Sequence, residues 1–123
     1  MVTQEATPAG LTLEFTKAWS SGDMDAAARF IADNIVFESP MVQLSGREPY
    51  LEAVGQFAQL VSEVTVIAVL GDGHRSIIMY DMKTGPFGTL RAAEHFTFEK
   101  GKITYDQLVF DTHEVRKVQQ AQG

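Results

Sequence analysis

The chain has 123 residues, of which 45% are hydrophobic and 21% are charged, and its formal net charge is −6. This composition is typical of a single globular domain, and the acidic balance argues against a surface that binds nucleic-acid phosphates. The absence of cysteine excludes disulfides and thiolate metal ligands. The sequence shows neither an apolar run of membrane-spanning length nor an N-terminal signal sequence, so a cytoplasmic protein that does not bind membranes is expected.

The first predicted helix follows a segment, residues 1–6, that we expect to be flexible. Thr7 offers an N-cap hydroxyl and Pro8 suits the first helical position. The polar and glycine residues at 20–22 end this helix. Its apolar face carries Leu11, Phe15, Ala18 and Trp19.

Two further helices are predicted before residue 62. Asp23 caps the second, whose apolar face reaches Ile31 and which the pair at 33–34 ends. A short strand at 35–39 follows, and we expect it at an edge of the sheet. Residues 45–48 have the pattern of a capping box and open the third helix. The buried stripe of that helix carries Tyr50, Val54, Phe57 and Val61.

The apolar period changes to two near Val61, which predicts four long antiparallel strands. The strands are expected at 63–70 and 74–84 and in a hairpin that spans 88–111. The last residues, 113–123, are polar and indicate a weak helix or a flexible tail. Three helices followed by a meander predict one α+β domain in which the helices cover one face of a strongly curved antiparallel sheet. Such an arrangement forms a cone with an open mouth, and therefore a pocket.

Glu94 lies in the middle of an apolar row of the hairpin. The row has the period of two that places side chains on one face of a strand, and it contains Leu90, Ala92, Phe96 and Phe98. A carboxylate on a buried row is costly unless it is paired or functional. We therefore treat Glu94 as the leading candidate for a catalytic group.

The hairpin loop determines which residue faces Glu94. A three-residue loop closed by Gly101 would pair Phe98 with Lys102 and place Glu94 directly opposite Asp106. The two Cβ atoms would then be roughly 4.5–5.5 Å apart, and one carboxyl pKa would rise. A four-residue loop would instead place Glu94 opposite Gln107 and turn Asp106 outward. Gly101 favours the first register.

Several segments together carry a resemblance to a known family. They are residues 19–26 (WSSGDMDA), 32–40 (ADNIVFESP), 45–48 (SGRE), 94–103 (EHFTFEKGKI) and 110–112 (FDT). In this order and spacing they resemble the SnoaL-like members of the nuclear transport factor 2-like (NTF2-like) superfamily along nearly the whole chain. The resemblance implies one NTF2-like cone over 1–123. It also implies a superfamily of ketosteroid isomerases, polyketide cyclases, epoxide hydrolases, dehydratases and non-catalytic binding domains.

The resemblance does not carry over the ketosteroid isomerase site. Phe15 stands where that family has its oxyanion-hole tyrosine, and Ser39 stands where it has its general-base aspartate. Only the third position keeps a carboxyl group, because Glu94 stands where that family has a protonated aspartic acid. The arginine of the epoxide hydrolases is replaced by Ala92. The cyclases need only one acid/base carboxylate, which Glu94 or Asp106 could supply, and the alignment with the family turns Asp106 inward.

The expected function is acid/base chemistry of the isomerase, cyclase or dehydratase kind on a hydrophobic, carbonyl-containing substrate, without cofactor or metal. Glu94 and Asp106 are the predicted catalytic residues. The predicted substrate-binding residues are Phe15, Trp19, Phe37, Ser39, Tyr50, Phe57, Tyr80, Phe96, Leu108 and Phe110.

Other interpretations stay open. Glu94 could be a structural carboxylate that is bound to Arg47, Arg29 or Tyr80. The domain could be a non-catalytic module that binds an apolar ligand. It could also be an assembly module, because we expect a homodimer through the outer sheet face, which carries Ile77, Met79, Arg91 and His95.

Overall fold

The computed structural model describes residues 6–122, which form four helices and six strands. Their order is α1 (Pro8–Ser20), α2 (Met24–Ala28), β1 (Ile31–Glu38), β2 (Gln43–Ser45), α3 (Arg47–Ala58), β3 (Val61–Gly71), β4 (Arg75–Thr84), β5 (Gly88–Glu99), β6 (Lys102–Phe110) and α4 (His113–Gln122). The strands form one sheet in the order β2-β1-β6-β5-β4-β3. Neighbouring strands are antiparallel except β1 and β6, which are parallel. The predicted α+β fold is confirmed.

The first two helices begin at the predicted caps. The Thr7 hydroxyl accepts a hydrogen bond from the Gly10 N–H at 3.1 Å, and the Asp23 carboxylate accepts one from the Ala26 N–H at 3.1 Å. Each bond satisfies a backbone donor that the first turn of a helix leaves without a partner. The caps set where α1 starts and hence which of its residues face the sheet.

The second helix is shorter than predicted, and the strand after it is longer. The helix ends at Ala28, and β1 already begins at Ile31. The Ile103 N–H donates to the Phe30 carbonyl at 2.7 Å, and Ile31 pairs with Ile103. Pairing with β6 therefore overrides the local helical pattern. β1 is added at the β6 edge of the four long strands, as expected, but β2, which was not predicted, continues the sheet beyond it.

The predicted capping box is also wrong, although α3 begins where it was expected. The N-cap residue is Gly46, with φ of 99° and no side-chain cap, and Ser45 pairs with Val36 inside β2. The Arg47 guanidinium instead donates to the Ala28 carbonyl at 2.9 Å and the Ile31 carbonyl at 3.3 Å. Val61, expected on the helix stripe, is the first residue of β3.

The loop between β5 and β6 has two residues instead of the predicted three. Glu99 pairs with Lys102, and the loop residues Lys100 and Gly101 have φ of 52° and 77°. Positive φ at both positions is the geometry of a tight primed turn, whose twist matches that of the flanking strands. Taken alone, this turn would place Asp106 on the outer face.

A bulge in β6 reverses that outcome. Thr97 pairs with Tyr105 while Phe98 pairs with Ile103, so Thr104 is an extra residue in β6. One extra residue switches the alternation of side chains between the two faces. Asp106 therefore points inward, as predicted, but it lies opposite Phe96 and diagonal to Glu94. The predicted direct opposition is wrong.

The core lies between the helices and the inner face of the sheet. Residues 113–122, for which a weak helix and a loose tail were both open, form α4, and Val115 packs its side chain into the core. Most of the terminal segment 1–6 lies outside the described residues. Within residues 6–122, no helix has both the length and the apolar character that a membrane span requires.

Candidate active site

A cavity of about 490 Å³ opens between the helices and the inner face of the sheet. Glu94 and Asp106 line it, together with nine of the ten predicted wall residues: Phe15, Trp19, Phe37, Ser39, Tyr50, Phe57, Tyr80, Leu108 and Phe110. Phe96 lies instead in the core, edge to face with Phe15 at a ring-centroid distance of 5.8 Å. The wall is mainly aromatic and aliphatic, and it contains no lysine, arginine or histidine among the described residues.

Sequence patterns did not indicate several other residues that line the cavity. They include Met41, Val42, Leu60, Phe87, Val115 and Gln119, which come from loops and from α4. Loop residues have no period from which a direction could be predicted. Val42 and Leu60 are apolar yet about two-fifths exposed, which is a signal that only the structure provides.

The two carboxylates are buried side by side and each is held by a tyrosine. Glu94 on β5 is 7% exposed and Asp106 on β6 is fully buried. The Tyr80 hydroxyl donates to Glu94 Oε1 at 2.7 Å, and the Tyr50 hydroxyl donates to Asp106 Oδ2 at 2.7 Å. A diagonal pair on one sheet face is close enough for such side chains to interact.

Burial raises the pKa of both carboxyl groups. For Glu94 this rise is opposed by hydrogen bonds from Asp106 and Tyr80. For Asp106 burial acts together with the negative charge of Glu94 and raises its pKa well above the usual range, while the bond from Tyr50 opposes the rise. Asp106 Oδ1 is the one fully buried side-chain oxygen or nitrogen in the described part of the chain that lacks a donor. A proton on Asp106, shared with Glu94, accounts for both observations.

Of the contacts that would make Glu94 a purely structural carboxylate, only the one with Tyr80 is present. The bond from Tyr80 is present, but no ion pair within residues 6–122 includes Glu94. Arg47 is directed to backbone carbonyls instead. The charge of the carboxylate pair is therefore not balanced by a guanidinium, and this is the condition under which a carboxyl group keeps a raised pKa.

The histidine next to Glu94 belongs to a separate cluster on the outer face of the sheet. His95 Nδ1 lies 2.7 Å from Gln107 Oε1, and the Gln107 amide donates to Glu38 at 3.2 Å. The Tyr105 hydroxyl donates to the other Glu38 oxygen. The predicted outward direction of His95 is confirmed, so His95 is not an acid/base partner of Glu94. Residues 6–122 bring together no group of three side chains suited to bind a metal.

Comparison with known proteins identifies the family. The model of the SnoaL-like domain matches residues 12–105. The chain belongs to the SnoaL-like family. This match contains Glu94 and the whole of β5, and it ends one residue before Asp106.

Solved structures related to this SnoaL-like protein share its whole architecture. A protein from Kribbella flavida is 27% identical with a TM-score of 0.90, over 96% of this chain and 98% of that one. A LEH-like epoxide hydrolase from M. tuberculosis is 19% identical with a TM-score of 0.75, over 90% and 87% of the two chains. A candidate ketosteroid isomerase from Kribbella flavida is 17% identical with a TM-score of 0.72, over 85% and 77%. No curated protein gives a match. At these identities the last two structures establish the fold alone.

Proposed function

We propose that this SnoaL-like protein is a cofactor-independent acid/base enzyme that moves a proton within a hydrophobic, carbonyl-containing substrate. The reaction is of the isomerase, cyclase or dehydratase kind. The observation that carries the proposal is the pair of buried carboxyl groups in the wall of an apolar cavity that has no cation among its described lining residues. Buried titratable groups with raised pKa values in a cleft are typical of acid/base sites.

The two carboxyl groups have different roles. Both residues line the cavity, but Glu94 keeps a small exposed fraction whereas Asp106 is fully buried. Glu94 takes a proton from the carbon next to the substrate carbonyl, and the electron pair of that C–H bond moves into the carbonyl to give an enolate. The same carboxyl group then returns the proton to carbon or to a leaving oxygen. Asp106 keeps its own proton and holds Glu94 in place through their hydrogen bond.

The direction of the pKa shift suits this task. A general base works best when its pKa approaches the working pH, because it is then both ionised and basic enough to take a proton. An exposed glutamate is too weak a base for a carbon acid. Burial raises the pKa of Glu94 and so makes it a stronger base, while the bonds from Asp106 and Tyr80 oppose that rise. Membership of a family that contains isomerases and other enzymes supports the proposal.

Deuterium exchange tests the proposal without knowledge of the natural substrate. The protein is incubated in D₂O with a panel of hydrophobic ketones, and the loss of the proton signal next to the carbonyl is followed by NMR. We expect the protein to accelerate exchange of at least one ketone. Glu94→Gln should lower that rate about 100-fold to 10,000-fold, the usual contribution of a general base.

Glu38→Gln is the matched control, since Glu38 is a hydrogen-bonded carboxylate on the opposite face of the sheet. It should exchange the ketone as fast as the unchanged protein. Exchange that survives in Glu94→Gln would overturn the assignment of the base. Ketones that bind without any exchange would instead indicate a protein that holds an apolar ligand without reaction.

A further inference from the structure

The carboxylate pair leaves the proposed reaction without a donor for the substrate oxygen. The Tyr80 and Tyr50 hydroxyl groups both donate to the carboxylates, and the Ser39 hydroxyl donates to the Val42 carbonyl at 3.1 Å. An enolate that forms in an apolar cavity needs a fixed donor at its oxygen. That donor must therefore come from another part of the wall.

Trp19 is the enclosed side chain of the wall that has a donor to spare. It lies on α1, is 6% exposed and borders the cavity. Its indole N–H can only donate, and none of the hydrogen bonds within residues 6–122, including those at the cavity wall, involves it. Asp106 Oδ1 is the one fully enclosed side-chain nitrogen or oxygen atom within residues 6–122 that has no partner, so the unpaired indole nitrogen keeps some accessible surface. Gln56 and Gln119, the amides of the lining, are both exposed to solvent.

The position of Trp19 relative to Glu94 is suited to a shared substrate. The Trp19 ring packs edge-on against the Tyr80 ring at a centroid distance of 6.2 Å. Tyr80 in turn donates to Glu94. The indole and the carboxylate therefore both contact the Tyr80 side chain and line the same cavity, so one bound molecule can reach both.

We propose that the indole N–H of Trp19 binds the carbonyl oxygen of the substrate, so that the cavity selects hydrophobic ketones or aldehydes. This inference rests on the proposed function. The substrate oxygen accepts the N–H hydrogen bond while the acidic C–H points toward Glu94. When Glu94 takes that proton, the C–H electron pair moves into the carbonyl and the negative oxygen stays bound to the indole. No proton leaves the indole.

The single tryptophan of the chain makes the test direct, because the ¹H–¹⁵N spectrum contains one indole signal. The probes are 2-acetylnaphthalene and 2-isopropenylnaphthalene, which differ only by a C=CH₂ group in place of C=O. Both have the same ring system and the same shape. We expect the ketone to shift the indole proton downfield and the hydrocarbon to leave it close to its original position.

Affinities of two variants complete the experiment. Trp19→Phe should lower the affinity for the ketone relative to the hydrocarbon about threefold to tenfold, which is the usual contribution of one hydrogen bond. Phe15→Leu is the control, because Phe15 borders the same cavity without a polar atom. It should weaken both probes by the same factor. The ratio of the two affinities is the readout, since either substitution can also alter packing.

Each outcome decides the inference. Equal indole shifts with the two probes, an unchanged affinity ratio in Trp19→Phe, or failure of both probes to bind would overturn it. The proposed function fails separately. Ketone exchange that depends on Glu94 without an indole shift removes the role of Trp19 alone, whereas an indole shift without exchange removes the proposed catalysis and leaves a carbonyl-binding site.

Discussion

Glu94 shows how one side chain and its neighbours set the chemistry of the cavity. It is bonded to Tyr80 and Asp106, and no cation within residues 6–122 forms an ion pair with it. Burial dominates the other effects and raises the pKa of Glu94 above its ordinary value of 4.5. The folded state therefore holds the proton more tightly than the unfolded chain does. The charge of Glu94 supports the proposed reaction but weakens the fold.

Glu94→Gln should reveal that cost as a difference in stability that depends on pH. Below pH 4.5 the carboxyl group is protonated in both states and destabilises nothing. Above pH 4.5 the unfolded chain loses its proton first, so the destabilisation by Glu94 grows as the pH rises through the folded pKa. We expect Glu94→Gln to be at least as stable as the unchanged protein at pH 8, by about 1.4 kcal/mol for each unit of upward shift. Thermal melts at pH 5 and pH 8 measure the difference.

Glu38 is a control because its pKa shift has the opposite sign to that of Glu94. The bonds from Tyr105 and Gln107 lower its pKa below 4.5, so its contribution to stability is present above that pH and is lost as the pH falls through the folded pKa. Glu38→Gln should therefore melt at a lower temperature than the unchanged protein at pH 8. A loss of stability in Glu94→Gln at pH 8 would contradict our assignment and would indicate a carboxylate that is paired for stability.

At the scale of the elements, the β5–β6 hairpin decides how the site is assembled. The two-residue turn at Lys100 and Gly101 fixes the pairing of Glu99 with Lys102, and the bulge at Thr104 then turns Asp106 to the inner face. The turn sets the strand register near the loop, and the bulge shifts that register for the rest of β6. A change in either would alter which β6 residues face the cavity.

Gly101→Ala should destabilise the fold by about 1 kcal/mol. Added methyl atoms would meet nothing within 4 Å, so the cost arises from the φ of 77°, which residues with a Cβ avoid. Gly73→Ala is the matched control, because its surroundings are equally open and its φ is not positive. It should be neutral or slightly stabilising. Urea denaturation of both variants checks the prediction, and equal effects at the two glycines would refute it.

At the scale of the whole molecule, the outer face of the sheet carries apolar side chains that the fold leaves exposed. Leu70, Ile77 and Val109 are 75%, 54% and 59% exposed, and Met79 is 39% exposed. Leu70 pairs with Ile77, and Met79 and Val109 both pair with Ala93, so they form neighbouring rows. A patch of this kind is typical of an interface. The homodimer through this face stays a prediction, as does a cytoplasmic location.

Ile77→Glu should convert that dimer to a monomer, because it would place two like charges in an apolar contact. Light scattering at micromolar protein measures the mass in solution. Leu13→Glu is the control, since Leu13 is similarly apolar and 40% exposed but lies on α1. It should leave the mass unchanged. A monomeric unchanged protein would end the dimer hypothesis.

The sequence by itself determined the features that depend on neighbours along the chain. The caps at Thr7 and Asp23 predicted two helix starts, and the alternation in β5 placed Glu94 on the inner face. These predictions succeed because a cap involves residues within one turn, and the alternation within a regular strand has a fixed period. The family pattern likewise placed Asp106 inward.

The tertiary structure alone decided the features that depend on distant partners. β1 begins at Ile31 because β6 is there to pair with it, and part of the cavity wall is built from loops and α4. Asp106 lies diagonal to Glu94 because β6 contains an extra residue, Thr104, which no local sequence pattern predicts. A bulge resets the alternation of side chains, and where it forms depends on how the whole sheet packs against the helices.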